Sequence, residues 1–201
     1  MTGSREGDAR RDSGWEAAVH LLCRFESGGR HLDDLLDSAD PGGSRWLVME
    51  VFRKWWILER ILVPRLRRRP RPVARNLLRL AIAECLGREG EGAPVVHHAV
   101  ETGRSLGLSA RECGFLNGVL RGVLRDPGWN RFPLEATHPD WLVARWRGAF
   151  GKAACNQLLE WNQSAPELYV HAAEPVPGAL PTPWEGFQRV PHSCFPDVLP
   201  E

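Results

Sequence analysis

The 201-residue sequence lacks several features that would direct the chain to a membrane or to a metal ion. No apolar run approaches the roughly 20 residues of a membrane span. The first residues, MTGSREGDARRDSG, lack the apolar centre of a signal peptide. We therefore expect a cytoplasmic protein without a membrane partner. The cysteines also lack the close pairs and neighbouring histidines of metal sites, which favours reduced thiols and no metal or other cofactor; they are Cys23, Cys85, Cys113, Cys155 and Cys194.

Lysine is almost absent, since Lys54 and Lys152 are the two in the chain. The net charge is only +1, so no global electrostatic field directs the chain towards a polyanion. Local clustering matters more, because five arginines fall within PRLRRRPRP, which spans residues 64–72. Pro64 should end the helix before this segment, and Pro70 and Pro72 should keep it partly extended. The sequence therefore predicts a strongly basic loop.

Apolar residues recur at three- and four-residue steps through the first 125 residues, which predicts amphipathic helices. We expect a short helix over residues 31–37 and one central helix from Ser44 to Leu62. Further helices are predicted at about 72–86 and 94–106, and the last begins with a capping box formed by Ser109 and Glu112. The first helix should bury a stripe made of Trp15, Ala18, Val19, Leu22 and Phe25.

The turn sequence at Asp126–Pro127 is the predicted domain boundary. Beyond it, one more helix should begin near Pro139, break at Gly151 and resume as far as Trp161. LYVHAA then reads as a short β-strand, and a proline-rich tail follows. We thus predict a flexible N-terminus at 1–13, a helical domain at 14–126 and a smaller partial domain at 127–201.

Three segments carry a resemblance to a known family. LRLAIAECL, then HHAVETGRSLG, then FLNGVLRGVLR follow in the order and spacing of the NusB-like domain, and the similarity covers roughly residues 14–125. The resemblance implies an all-α bundle of about six to seven helices, with a short α/β extension at the C-terminus. It also implies RNA binding, because such domains act alone as transcription antitermination factors or precede the catalytic domain of RsmB-type ribosomal RNA cytosine-5 methyltransferases.

A second similarity favours the methyltransferase branch. HPDWLVARWRGAFG, followed by LLEWNQSAP, resembles the linker that joins the NusB-like and catalytic domains in RsmB-type enzymes. The chain departs from that pattern where the family has an Arg-x-Asn strand, since His171 and Ala173 stand there. It also lacks the glycine-rich turn of an S-adenosylmethionine site, and Cys194 has no sheet to position it as a nucleophile. We therefore expect a non-enzymatic chain.

Candidate RNA contacts are the basic residues that could meet phosphates, since backbone contacts supply most of the affinity for nucleic acid. The alternative is an ordinary solvated charge run. Trp55, Trp56, Trp141 and Trp146 could stack on bases, but their place in apolar stripes favours core packing. The predicted RNA-binding residues are Arg10, Arg11, Arg53, Lys54, Arg65, Arg67, Arg68, Arg69 and Arg71.

Two other groups are expected to be structural. His97 and His98 are neighbours on a helix and point about 100° apart, so they do not form a ligand pair. Asn117 and Arg121 match the NusB-like pattern, and a hydrogen bond within the fold is the simplest role for Asn117.

Two classes of function remain open from the sequence. The first is a non-catalytic RNA-binding protein that acts in transcription antitermination and regulation, or that recognises ribosomal RNA for cytosine-5 methylation. The second is a protein-interaction module that docks a ribosomal protein, or the front of an RsmB-type methyltransferase whose catalytic domain is missing or lies on a separate chain.

Overall fold

The computed structural model describes residues 3–28, 31–37, 43–87, 92–164 and 166–190, with side chains described from Gly14 and Ser44 onward in the first and third of these ranges. Helices dominate this part of the chain, as the sequence predicts. The eight α-helices are α1 (Gly3–Glu26), α2 (Leu32–Asp37), α3 (Gly43–Arg53), α4 (Trp55–Leu62), α5 (Pro72–Gly87), α6 (Ala93–Ser105), α7 (Ala110–Arg125) and α8 (Asp140–Gln163).

Helix α5 lies at the centre of the core. Its residues from Ala74 to Glu84 are all buried, and it packs against α1, α3, α4, α6 and α7. Pro72 opens the helix at a position where its missing amide costs nothing. The stripe predicted for α1 is confirmed, because four of its five residues are buried and Phe25 packs against the core from the edge.

The prediction of a single helix from Ser44 to Leu62 is wrong in one respect, because the structure divides this segment into α3 and α4. Lys54 between them has φ −99° and ψ 6°, outside the helical region. The predicted bundle of about six to seven helices is still confirmed, because the described residues place α1 to α7 before Asp126 and α8 beyond it. Neither glycine nor proline marks the break, so the sequence carried no local signal for it.

The capping box predicted for α7 is confirmed. Glu112 N–H donates to Ser109 Oγ at 3.3 Å, and Ser109 N–H donates back to Glu112 Oε2 at 2.9 Å. These hydrogen bonds stabilise the ionised carboxyl, and the backbone N–H of Ser109 contributes most to lowering the pKa of Glu112. The start of α7 is therefore fixed by its own sequence.

Helix α8 follows a short 3-10 helix at Leu134–Thr137. The predicted break at Gly151 is confirmed, since this residue has φ 78° and ψ 169° inside the helix. Val143, Cys155 and Leu159 form a second small hydrophobic cluster, against which Leu134 and Trp146 pack.

Two compact units make up the chain, Met1–Glu160 and Trp161–Glu201. The second holds a three-stranded antiparallel sheet in the order β1 (Leu168–His171), β3 (Phe187–Val190), β2 (Leu180–Pro181). Tyr169 pairs with Arg189 across β1 and β3. The predicted β-prone run is thus confirmed, as is the fold class of an all-α domain with a short α/β extension. None of the helices in the described residues combines the length and apolarity that a membrane crossing requires.

Candidate nucleic-acid interface

The basic loop, residues 66–71, joins a 3-10 helix at Val63–Arg65 to the start of α5. Arg67, Arg68 and Arg69 are exposed on it. Among the described residues, these three side chains form no ion pair or hydrogen bond. Their guanidinium groups are therefore available to phosphates without first breaking an internal contact.

Two further arginines hold the ends of the basic loop. Arg65 Nη2 pairs with Asp126 Oδ2 at 2.5 Å, and Arg65 Nη1 donates to the Ile61 carbonyl at 2.8 Å. At the other end, Arg71 Nη1 pairs with Glu112 Oε1 at 3.2 Å. These contacts place Arg65 and Arg71 as supports of the loop. Direct RNA contact by either one stays a prediction.

Arg53 and Lys54, two of the predicted RNA-binding residues, are largely buried. Their side chains are only 11% and 15% exposed, and both pair with Glu50. Burial lowers the pKa of both side chains, and the charge of Arg53 adds to the effect on Lys54. The pairing reduces their availability to phosphates. Arg10 and Arg11 lie in α1, but their side chains fall outside the described part of the chain, so their RNA contacts stay a prediction.

The tryptophans divide into two groups. Trp55 stacks on Phe52 with ring centroids 5.6 Å apart, and Trp146 packs on the second cluster, so core packing is confirmed for both. The prediction of core packing is wrong for the other two tryptophans, because Trp56 is 43% exposed and Trp141 is 67% exposed.

A buried polar network in α5 is the main feature that the sequence analysis missed. Arg79 Nη1 pairs with Glu26 Oε1 at 2.6 Å, and Arg79 Nη2 pairs with Glu59 Oε1 at 2.6 Å. Arg75 Nη2 pairs with Glu26 Oε2 at 2.6 Å, and Asn76 Nδ2 donates to the same oxygen at 3.1 Å. Two arginines one turn apart in an otherwise apolar helix were the available signal, since buried cations require acidic partners.

The network also sets the ionisation of the groups around it. Burial opposes the charged form of Glu26, but hydrogen bonds from Arg75 and Arg79 outweigh burial and lower the pKa of this carboxyl. Burial raises the pKa of the neighbouring Cys23 thiol. The Arg79 guanidinium lies 4.0 Å from the centroid of the Trp55 ring. Each charge in the network therefore has a partner of the opposite sign.

Histidines and cysteines form no metal site in the described residues, where no group of three His, Cys, Asp or Glu side chains could hold an ion. His98 packs edge-on against Trp15 at 4.6 Å, whereas His97 is exposed. Cys113 and Cys155 are buried thiols. Cys194 lies outside the described residues.

A groove of about 430 Å³ runs between α6 and α7. On its wall, Asn117 Oδ1 accepts a hydrogen bond from Arg121 Nε at 2.8 Å, so the structural role predicted for Asn117 is confirmed. The side chains around the groove are of mixed polarity. They include Val96, Val100, Glu101, Arg104 and Cys113.

Comparison with known families decides the identity of the helical domain. Residues 16–125 match the NusB family. The chain belongs to the NusB family. This match contains the basic loop, both of its supporting arginines and the buried network of α5. It ends at Arg125, and the domain boundary at Asp126–Pro127 stays a prediction.

Two bacterial relatives extend the similarity beyond the NusB domain. The chain is 34% identical over 191 residues to "Ribosomal RNA small subunit methyltransferase B" of Thermus thermophilus, which covers 84% of this chain and 44% of that protein. It is 32% identical over 99 residues to "Probable ribosomal RNA small subunit methyltransferase B" of Bacillus subtilis, covering 44% of this chain and 22% of that protein. The chain thus spans less than half the length of the relatives that it matches.

Proposed function

We propose that this chain binds RNA through its NusB domain and that the basic loop supplies the phosphate contacts. We favour ribosomal RNA as the target, because both relatives are named for methylation of that RNA. A leader transcript, bound during antitermination in the regulation of transcription, is the second target. The proposed compartment is the cytoplasm.

The observation that carries this proposal is the state of Arg67, Arg68 and Arg69. All three are exposed and have no acidic partner in the described residues. The ion pairs of Arg65 and Arg71 fix the two ends of the same loop. A loop that is anchored by paired arginines and presents unpaired ones is suited to a polyanion, because its ends are held in place and its free guanidiniums can meet phosphates without breaking an internal contact.

The role that we propose is recognition without catalysis. In this scheme the NusB domain holds the RNA, and a catalytic domain outside residues 1–201, on the same chain or on a separate one, performs any methylation. A ribosomal protein is a further candidate partner. The proposal assigns no S-adenosylmethionine site to the described residues.

A salt series tests the proposal. Binding of a labelled, unpaired ribosomal RNA fragment would be measured by filter retention between about 50 and 200 mM salt. The measured quantity is the slope of the logarithm of the binding constant against the logarithm of the salt concentration. A variant that loses three phosphate contacts should have a slope shallower by about 2, because each contact on unpaired RNA contributes about 0.7. The wild-type chain should therefore lose about 20-fold more affinity across this range than the variant Arg67→Ala, Arg68→Ala, Arg69→Ala.

A matched control removes the same amount of charge elsewhere. Arg111, Arg125 and Arg131 are exposed and lie outside the basic loop, so replacing them with alanine should leave the slope nearly unchanged. Thermal stability should be similar in both triple variants. A wild-type slope near zero would refute direct backbone binding and would favour the protein-interaction alternative.

A further inference from the structure

Two exposed tryptophans lie on segments that an ion pair ties together. Arg60 Nη2 on α4 pairs with Asp140 Oδ1 at the start of α8, at 2.9 Å. Trp56 precedes this arginine by four residues, and Trp141 directly follows this aspartate. Helix α4 also packs against the 3-10 helix that leads into α8. The two indoles therefore belong to one region of the surface.

The solvent side of α4 leads into the basic loop. Ile57, Leu58, Ile61 and Leu62 of this helix are buried. Trp56, Arg60 and Val63 are exposed and follow at four- and three-residue steps, so they form one row along the helix surface. The row ends where the chain enters the 3-10 helix before the basic loop.

The first segment of α8 adds another unpaired cation. Arg145 lies one turn after Trp141, so the two side chains share a face of the helix. Arg145 is exposed and forms no ion pair or hydrogen bond within the described part of the chain. Both residues lie beyond residue 125, where the NusB family match ends.

The charge of this region has one sign once internal pairs are removed. The acids of α4, of the 3-10 helix and of the start of α8 are Glu59, Glu135 and Asp140, and they are engaged by Arg79, Arg147 and Arg60. In the described residues, the cations of this region left without a partner are Arg67, Arg68 and Arg69 of the basic loop, together with Arg145. A protein partner with an apolar face would gain nothing from four unpaired guanidiniums, whereas phosphates spaced along a strand would.

We propose that Trp56 and Trp141 form a stacking platform for unpaired RNA bases, while the basic loop and Arg145 bind the phosphates between them. This inference rests on the proposed function, because it names additional contacts for the same RNA. Indole faces stack on any base, and an unpaired strand exposes bases that a duplex hides. The platform should therefore bind single strands and contribute little on a duplex.

Fluorescence anisotropy with a labelled uridine 12-mer tests the platform on the full chain. Trp56→Ala and Trp141→Ala should each weaken binding of this single strand about five- to one-hundred-fold. The salt slope should not change, because an indole neutralises no phosphate. Trp46→Ala is the matched control, since Trp46 is 53% exposed and lies on α3, outside the two helices that carry the platform. This control should bind like the wild-type chain.

The phenylalanine variants give a second readout that does not depend on a large truncation. Trp56→Phe and Trp141→Phe keep an aromatic face, so they should retain most of the affinity. Each should lose part of the quenching of intrinsic fluorescence that RNA causes in the wild-type chain. A 12-base-pair RNA duplex should bind all of the tryptophan variants with nearly equal affinity.

The outcomes separate the platform from the proposed function. If the wild-type chain binds RNA with a steep salt slope but the tryptophan variants match Trp46→Ala, the platform is refuted and a protein becomes the better occupant of this surface. If the wild-type chain binds neither RNA, both proposals fail. Equal losses on the single strand and the duplex would also refute stacking.

Discussion

Replacing Arg79 with methionine tests whether the buried network of α5 holds the NusB domain together. Methionine has a comparable length and packs in apolar surroundings. The substitution removes the guanidinium that pairs with Glu26 and Glu59 at 2.6 Å each and that lies 4.0 Å from the Trp55 ring centroid. Glu26 would keep Arg75 and Asn76 as partners, but Glu59 Oε1 would lose the hydrogen bonds that Arg79 Nε and Nη2 donate to it.

The expected cost is about 3 kcal/mol in the free energy of unfolding, at the low end of the range for breaking a buried ion pair, because Glu26 stays partly compensated. Small domains are stable by about 5–15 kcal/mol, so this loss is a large share of the total. For a cooperative unit of about 150 residues, it corresponds to a fall of roughly 6–12 °C in Tm.

Urea unfolding monitored by circular dichroism would measure the cost, with Arg67→Met as the control. Arg67 is exposed and unpaired in the described residues, so its replacement should change the free energy of unfolding by no more than about 0.5 kcal/mol. Combining Arg79→Met with Glu26→Gln should cost less than the two changes added together, because the residues interact. A cost below about 1 kcal/mol for Arg79→Met, with an unchanged denaturant slope, would refute the reasoning.

Two further predictions concern pH and the break in α8. Because hydrogen bonds from Arg75 and Arg79 keep the pKa of Glu26 below its ordinary value of 4.5, Glu26 should add stability above pH 4.5 that is lost as the pH falls through the lower folded-state pKa. Glu26→Gln should flatten this part of a Tm-against-pH profile, and a profile identical to wild type would contradict the assignment. Gly151→Ala should cost about 1–3 kcal/mol in chemical unfolding, because φ 78° with ψ 169° is essentially a glycine conformation. Gly148→Ala, in regular helix with open space around its Cβ position, should instead be neutral or slightly stabilising, and equal effects at the two positions would contradict this account.

Sequence patterns predicted the helices because their signals are local. The apolar stripe of α1, the capping box of α7 and the break at Gly151 each depend on residues within a few positions of one another. The sequence did not predict the division of the helix at Lys54, because no proline or glycine marks it. The exposure of Trp141 was not predicted for a different reason. The spacing of apolar residues shows that a helix has an apolar side, but it does not show whether another element covers that side.

The same limit applies to the arginines between residues 65 and 79. Composition alone makes them equivalent, yet the fold gives them three different roles. Arg75 and Arg79 are buried against Glu26, Arg65 and Arg71 are paired at the surface, and Arg67 to Arg69 are left free.

The two paired roles depend on acids that the fold brings from far along the chain. The acids Glu26, Glu59, Glu112 and Asp126 come from α1, α4, α7 and the turn after α7. Only the packing of these elements determines which arginine finds a partner, and the arginines without one are those that remain available to a phosphate. The candidate interface is therefore defined by what the rest of the fold leaves unpaired. For this reason a count of arginines names candidates but does not separate the paired arginines from the free ones.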